Sequence, residues 1–368
     1  MNKDSKSILF VIPGLGSGGA ERQSVTIARL LKKNGYDVSF WCYFHTDFYE
    51  QLLKDEGINV YRKVCNYGKR MYYATRFIKK GHFDVVISFM HTPNFLNDFA
   101  AMFGKRWRVI TSIRINPTER MFASTKGKIN AWFQRYSDVI VCNAEDSMNN
   151  YARFRPIEES KLTTIYNTVT LGKIDTAYIP RKKGKTNIVV AATIDGRKNP
   201  MGVLDAIGKM SEEEKNRIHI DWYGKKGGVI GDQTEYNKVL EEVKDKNLED
   251  IISFHEATKD IANRMNEADC VALFSSLEGL PNAICEGMMI GKPIIMSRVS
   301  DYWNLVEEGS NGFLCDWNDT ASIKEAMLKL SRLDNDQLLA MGKKSKEKAV
   351  TLFSQEAILR KWIDVIEG

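Results

Sequence analysis

The 368-residue sequence predicts an α/β protein of two doubly wound domains in series. Short unbroken apolar runs alternate with longer amphipathic stretches, as parallel strands covered on both faces by helices require. The alternation occurs twice, on either side of a polar stretch rich in lysine and proline. The length suits two cores of ordinary size rather than one. We therefore expect a first domain over 1–175, a second over 176–350, and a final helix over 351–368 that crosses back to the first.

In the first half the strand candidates are ILFVI (8–12), VSFWCY (38–43), INVY (58–61), VVISFM (85–90), RVITSI (108–113), DVIVC (138–142) and TTIYN (163–167), with a helix from Ala20 to Lys33 after the first. YIPRKKGKTN (178–187) reads as the linker. The second half runs NIVVAA, a helix over 200–210, IHIDWY, a helix over 233–246, IISF, a helix over 258–268, CVALF and PIIMS. From Thr320 onward the pattern is helical, ending in the amphipathic QEAILRKWIDVIEG.

Charge and cysteines narrow the classes. With 53 Lys+Arg against 47 Asp+Glu the net charge is +6, too mild and scattered to argue for a nucleic-acid partner. The six cysteines are dispersed without a C-x-x-C pair and mostly lie in apolar strands, as reduced core thiols do. No apolar run approaches the roughly 20 residues of a membrane helix, and ILFVI is too short for a signal core. The expectation is a cytoplasmic protein.

The most informative segment is SSLEGLPNAICEGMMIGKPIIMS (275–297). Pro281 sits where a helix can begin, because the N–H it lacks would be an orphan there. A helix from Asn282 to Ile290 then points its amino end, with free N–H groups and a partial positive charge, over the sheet, where an anion is favoured. Glu278 precedes the helix and Glu286 lies in its second turn, so carboxylates flank the anion site and can accept from hydroxyls. Hydroxyls beside a diphosphate describe a nucleotide sugar. A surface glutamate and a solvated helix glutamate are the plainer alternative.

Other loops add cations and glycines. PGLGSGGAER (13–22) follows the first strand, and Gly16, Gly18 and Gly19 allow close backbone approach to a ligand. It is no G-x-G-x-x-G fingerprint, and no acidic ribose partner for a nicotinamide cofactor is evident. Arg22, on the first turn, faces either the ligand or solvent. ATIDGRKNP (192–200) places Arg197 and Lys198 before a helix, where adjacent cations suit a diphosphate leaving group without a metal. SFMHTPN (88–94) and TSIRINPTER (111–120) put His91, Arg114 and Arg120 after later strands. Residues 102–135 interleave Lys and Arg with Trp107, Phe122, Trp132 and Phe133, a composition suited to an anionic membrane surface and a polyprenyl-diphosphate acceptor, or to an ordinary helix with core-facing aromatics. Asp334-Asn335-Asp336 is formally a metal-binding D-x-D, but between two helical patterns it reads as a cap.

The 275–297 segment resembles the E-x7-E signature of retaining glycosyltransferases of family 4, written E-G-x-P-x-x-x-x-E-x-M-x-x-G-x-P-V-I. The glycine loop is similar to the family's G-G-A-E-R, and Lys198-Asn199 to the end of its G-R-L-x-x-x-K-N. Two departures stand out: Thr193 occupies the usual arginine position of that motif, with Arg197 as a substitute, and Arg114 stands where the family often has a histidine. The resemblance implies the GT-B architecture, two Rossmann-like domains facing across a cleft. It implies a UDP- or GDP-linked sugar as donor substrate, no cofactor and no metal, and a glycan or polyprenyl-diphosphate-linked acceptor, in bacterial surface polysaccharide synthesis at the inner face of the membrane. By analogy Glu286 holds the ribose, Glu278 and the amides from Gly279 through Leu280 and Pro281 to Asn282 meet the sugar and phosphates, and Lys198 the diphosphate. Glu278, Arg114 and His91 are then the catalytic candidates, Gly16, Gly18, Gly19 and Arg197 join the donor site, and Arg22, Trp107 and Arg120 are acceptor candidates. A nucleotide-sugar epimerase of the same architecture and a non-catalytic partner subunit are the alternatives.

Overall fold

A computed structural model describes residues 5–171, 174, 184–227 and 233–368. The chain divides into two compact units, Met1–Thr168 with Gln355–Gly368, and Val169–Ser354. Residue 175, the expected division, and most of the expected linker lie outside the described residues.

The first unit runs β1 (Ser7–Ile12), α1 (Gly19–Lys33), β2 (Asp37–Cys42), α2 (Glu50–Asp55), β3 (Asn59–Arg62), α3 (Tyr67–Lys80), β4 (Val85–Phe89), α4 (His91–Met102), β5 (Arg108–Ile113), α5 (Glu119–Ala123), α6 (Thr125–Phe133), β6 (Val139–Cys142), α7 (Glu145–Phe154) and β7 (Leu162–Thr164). Its sheet has the order β3-β2-β1-β4-β5-β6-β7, with every pairing parallel. All five residues of β4 are buried, as a strand sandwiched between helix layers must be.

The second unit runs β8 (Thr186–Ala191), α8 (Pro200–Gly208), α9 (Glu212–Lys215), β9 (Ile218–Gly224), α10 (Thr234–Asp245), β10 (Ile252–Glu256), α11 (Ile261–Glu267), β11 (Cys270–Leu273), α12 (Asn282–Ile290), β12 (Ile294–Ser297), α13 (Tyr302–Leu305), β13 (Gly312–Cys315), α14 (Thr320–Ser331) and α15 (Asn335–Phe353). The sheet order is β10-β9-β8-β11-β12-β13, again all parallel. Both sheets thus reverse direction once, between β1 and β4 and between β8 and β11.

The last helix, α16 (Gln355–Glu367), belongs to the first unit. Ile358, Trp362 and Ile366, spaced four apart on one face, are its buried residues. Trp362 stacks on Phe89 at the end of β4, with ring centroids 6.0 Å apart. Arg108 Nε donates to the Val365 carbonyl at 2.7 Å, and Lys6 pairs with Glu367 at 2.8 Å.

Three sequence expectations shift. The strand read over 163–167 is β7, ending at Thr164; Ile165 and Tyr166 are buried beyond it. The helices α5, α6 and α13 and the edge strand β13 carry no periodicity long enough to read. Trp107, proposed for an acceptor, is a core side chain, 6% exposed, whose Nε1 donates to Asn97 Oδ1 at 3.3 Å. Among the described residues no helix is long and apolar enough to cross a membrane.

Lys292, in the turn between α12 and β12, is 2% exposed. Burial pushes its ammonium down to about 7, against partial support from Asp269. The unfolded chain therefore holds this proton up to the ordinary lysine range while the folded chain releases it near neutrality, so stability rises with pH across that window. The urea-unfolding free energy of Lys292→Met should rise less than that of the parent between about pH 7 and 10; parallel curves would refute the buried-lysine account.

Candidate active site

In an open parallel sheet the crevice for a ligand lies beyond the carboxyl ends of the strands where the chain order reverses. In the second unit that point is flanked by the loops after β8 and β11. Asp195 organises the first loop. It is 4% exposed, and its Oδ1 accepts from the backbone N–H of Arg197 at 3.0 Å and of Lys198 at 3.3 Å. The resulting single turn closes at Asn199, which takes left-handed angles (φ 62°) before Pro200 opens α8. Ser276 then donates to the Arg197 carbonyl, from its N–H at 2.8 Å and its hydroxyl at 3.2 Å, tying the two loops together.

That tie brings the predicted pair into contact. Lys198 Nζ donates to Glu278 Oε1, with both side chains largely buried at 20% and 12% exposure. Arg197 instead turns out to solvent and pairs with Asp195 Oδ2 at 3.0 Å. Ser297 and Ser300 hold the glutamate loop by donating to the carbonyls of Ser275 and Gly279. Pro281 is the residue before α12 and contributes no side-chain cap to that helix. Glu286 is half-buried in the second turn, beside Cys285, whose thiol is pushed up chiefly by burial and further by the Glu286 charge.

Helix α12 reaches this position through glycines. A Cβ at Gly287 would lie 2.7 Å from the Val271 side chain on β11, so only glycine lets the helix axis come this close to the sheet. Gly291 ends the helix with φ 99°, and Gly342 of α15 lies so near that a Cβ there would sit 2.1 Å from the Gly291 carbonyl.

In the first unit the reversal lies between β1 and β4. The loop after β1 places Gly18 immediately before α1, with Gly16 and Gly19 beside it and Arg22 exposed on the first turn. The glycine this loop most needs is Gly14, where a Cβ would strike the Thr46 hydroxyl at 1.9 Å. After β4, Met90 takes φ 77°, rare and costly for a side chain of its size, and His91 opens α4 with no side-chain cap. Asn94 fastens this end to β5 by donating to the Ser112 carbonyl at 2.9 Å. Desolvation, and after it the charge of Lys126, lowers the pKa of His91.

Arg114 follows β5. Its Nη1 donates to Asn167 Oδ1 at 2.9 Å, and the guanidinium lies 4.2 Å from the Phe89 ring centroid. Nε and Nη2 are shielded from water without a hydrogen-bond partner, and desolvation brings the pKa down to about 9. Arg114 and His91 share the lining of a cavity of about 400 Å³. Arg120 falls outside the described side chains.

Among the described residues no cluster of three or more His, Cys, Asp and Glu could hold a metal ion. The D-x-D at 334–336 forms a capping box: Asp334 accepts from Gln337 N–H at 2.8 Å, and the Gln337 side chain accepts from Asp334 N–H at 3.0 Å.

Residues 175–348 match the family profile described as "Glycosyl transferases group 1", and residues 17–173 match "Glycosyltransferase Family 4". The chain belongs to the family 4 glycosyltransferases. It is 26% identical over 249 residues to the N-acetyl-alpha-D-glucosaminyl L-malate synthase of Bacillus anthracis, a match over 61% of this chain and 64% of that protein, so just under two thirds of the relative's length is spanned. It is 25% identical to a Campylobacter jejuni alpha-1,4-N-acetyl-D-galactosaminyltransferase named for an undecaprenol-diphosphate-linked substrate, over 90% of this chain and 89% of that one. The crystal structure of Anabaena Alr3699/HepE in complex with UDP superposes with a TM-score of 0.84 at 17% identity, covering 98% and 99% of the two chains, which shows the GT-B fold.

For a family 4 glycosyltransferase the loop contacts are the instructive part. Asp195, Ser276 and Ser300 were missed by sequence reasoning. Only Asp195, an Asx residue before a Gly-Arg-Lys turn, carries a readable signal. Gly287→Ala should destabilise the chain by about 1–3 kcal/mol through forced separation of α12 from β11, measured as a lower urea midpoint; an unchanged midpoint would show that the contact is slack.

Proposed function

We propose that this family 4 glycosyltransferase moves a sugar, with retention at the anomeric carbon, from a UDP or GDP donor to a hydroxyl of a glycan or lipid-linked glycan, without a metal or other cofactor. The observation that carries the reading is the Lys198–Glu278 pair at the carboxyl ends of β8 and β11, beside the amino end of α12. As the bond from sugar to diphosphate breaks, negative charge grows on the leaving phosphate. Lys198, Arg197 and the α12 dipole supply positive charge where a divalent ion would otherwise be needed. Glu286 accepts from the ribose hydroxyls, and Glu278 both steers Lys198 and accepts from the transferred sugar.

The phosphate and the sugar hydroxyls take one partner each of the Lys198–Glu278 pair, which gives the donor a selective advantage over the free nucleotide. A bound diphosphate draws Lys198 from Glu278, and the freed carboxylate is satisfied only when a sugar is attached. The Campylobacter relative's name and the surface aromatics both support a lipid-linked acceptor. Ile129 and Trp132 are exposed on α6, as are Lys126, Lys128 and Arg135 in the same stretch of chain, a composition that suits peripheral contact with an anionic membrane.

Two measurements test the reading. In a radiolabel transfer assay Glu286→Ala should lose donor affinity by at least about tenfold, equivalent to one charged hydrogen bond, with unchanged thermal stability of the unliganded chain. Glu278→Gln should bind free UDP or GDP more tightly than the parent, because Lys198 is released, while transfer falls. Both binding effects should persist in EDTA; full turnover in Glu286→Ala would exclude the assignment.

A further inference from the structure

A second groove in the first unit lies outside the strand reversal. It forms where α3 runs beside β3, the outermost strand of the sheet, which β2 separates from β1. Ala74 and Ile78 are the buried residues of α3. Tyr73, Arg76, Phe77 and Lys80, spaced by three and four residues, make a second face of that helix about 10 Å long, and this face walls the groove. Tyr61 of β3, 44% exposed, stands on the sheet side beside the buried Trp41, its ring centroid 5.0 Å from that of Phe77.

The charges here are of one sign. Lys63, Arg76 and Lys80 line the groove, are exposed and, among the described residues, make no ion pair. Lys63 rests instead over the Tyr73 ring, 5.0 Å from its centroid. Arg62 also lines the groove but is committed to Glu50 and to the Thr46 carbonyl, the latter at 3.0 Å. Exposed lysines elsewhere in this unit find carboxylates, as Lys54 does with Glu50 at 2.9 Å and Lys105 with Asp138. None of the nine lining residues is an acid or an amide. Side chains that donate, with only phenol oxygens to accept, leave the hydroxyls of a neutral sugar short of acceptors and offer anionic oxygens several donors. Beside them, aromatic rings suit the apolar C–H face of a sugar ring, which meets the negative face of the aromatic. A volume of about 550 Å³ holds on the order of eighteen non-hydrogen atoms at water's share of liquid volume, roughly one to two sugar residues.

We propose that this groove is a second glycan site, separate from the crevice between β1 and β4, and that it takes an acidic stretch of polysaccharide. The carboxylate or phosphate groups of the glycan meet Lys63, Arg76 and Lys80, and a sugar ring lies against Tyr61 and Phe77. This rests on the reading of the protein as a transferase to glycans only for the kind of ligand. It adds that the glycan is anionic and is gripped at a place other than the hydroxyl that reacts.

Calorimetry on the full chain tests it, with tetragalacturonate, phosphopentamannose, maltotetraose and tetraglutamate as probes, UDP and GDP in parallel, and sedimentation with phosphatidylglycerol vesicles alongside. At least one acidic glycan should bind at least about tenfold more tightly than maltotetraose and tetraglutamate, one order of magnitude being the effect of a single good contact. Preference for tetragalacturonate assigns carboxylate as the anion and preference for phosphopentamannose assigns phosphate; equal binding assigns a site for either. The double variant Arg76→Gln, Lys80→Gln should lose the advantage over maltotetraose, and Tyr61→Ala the advantage over tetraglutamate, while unchanged thermal midpoints and retained nucleotide binding report an intact fold. The proposal is overturned if maltotetraose or tetraglutamate binds as well as the acidic glycans, if the variants bind like the parent, if vesicles bind and no glycan does, or if nucleotide binds and no acidic glycan does. Acidic-glycan binding that the variants lose, without nucleotide binding in the parent, would instead overturn the transferase reading and leave the groove assignment standing.

Discussion

Everything the second unit offers a ligand depends on how close α12 lies to the sheet. A helix presents its amino end at a useful depth only if its flank meets the strand beneath with almost no side chain between. Gly287 against Val271 achieves that, and Gly342 against Gly291 allows α15 to brace the helix from behind. With a larger residue at either contact the helix would ride outward, carrying the Gly279–Asn282 turn and Glu286 with it. The glycines of the motif therefore serve packing first, and their value for binding follows from the geometry that packing permits.

The second constraint is charge. The loops after β8 and β11 collect Asp195 and Glu278 with Arg197 and Lys198, Glu286 following on α12, and the described pairs neutralise both cations before any ligand arrives. Partly buried ions without partners would be costly, so an unliganded site of this kind holds its cations on its own carboxylates. A phosphate bound as proposed would exchange partners rather than create ion pairs anew. The net gain would be smaller than a count of phosphate contacts suggests, and would depend on what the released carboxylates touch afterwards.

How much of this could be read from sequence follows from distance along the chain. The helix at Asn282–Ile290 was legible to the residue, because Pro281 and Gly291 punctuate it locally. The capping role of Asp334 was legible for the same reason. The contact of Lys198 with Glu278 was not, since it joins loops 80 residues apart and depends on Ser276 holding the Arg197 carbonyl. Gly14 was overlooked in favour of Gly16, Gly18 and Gly19, because the neighbour that demands it, Thr46, belongs to another segment. Trp107 misled by composition: basic residues around an aromatic look like a surface, yet here the ring fills the core between β5 and α4.

Arg114 shows what a departure from a family pattern can mean physically. A histidine at the end of β5 could exchange a proton near neutral pH; a guanidinium held at about 9 stays charged there and cannot. The group at this position therefore keeps its charge where a histidine would titrate. Its surroundings agree, since Phe89 supplies a ring face and Trp362, from the last helix, backs that ring. The C-terminal helix thus does more than close the first unit. Through one aromatic stack it fixes the plane on which the guanidinium rests, so removing the indole would loosen a cation lining the cavity without touching that cation directly.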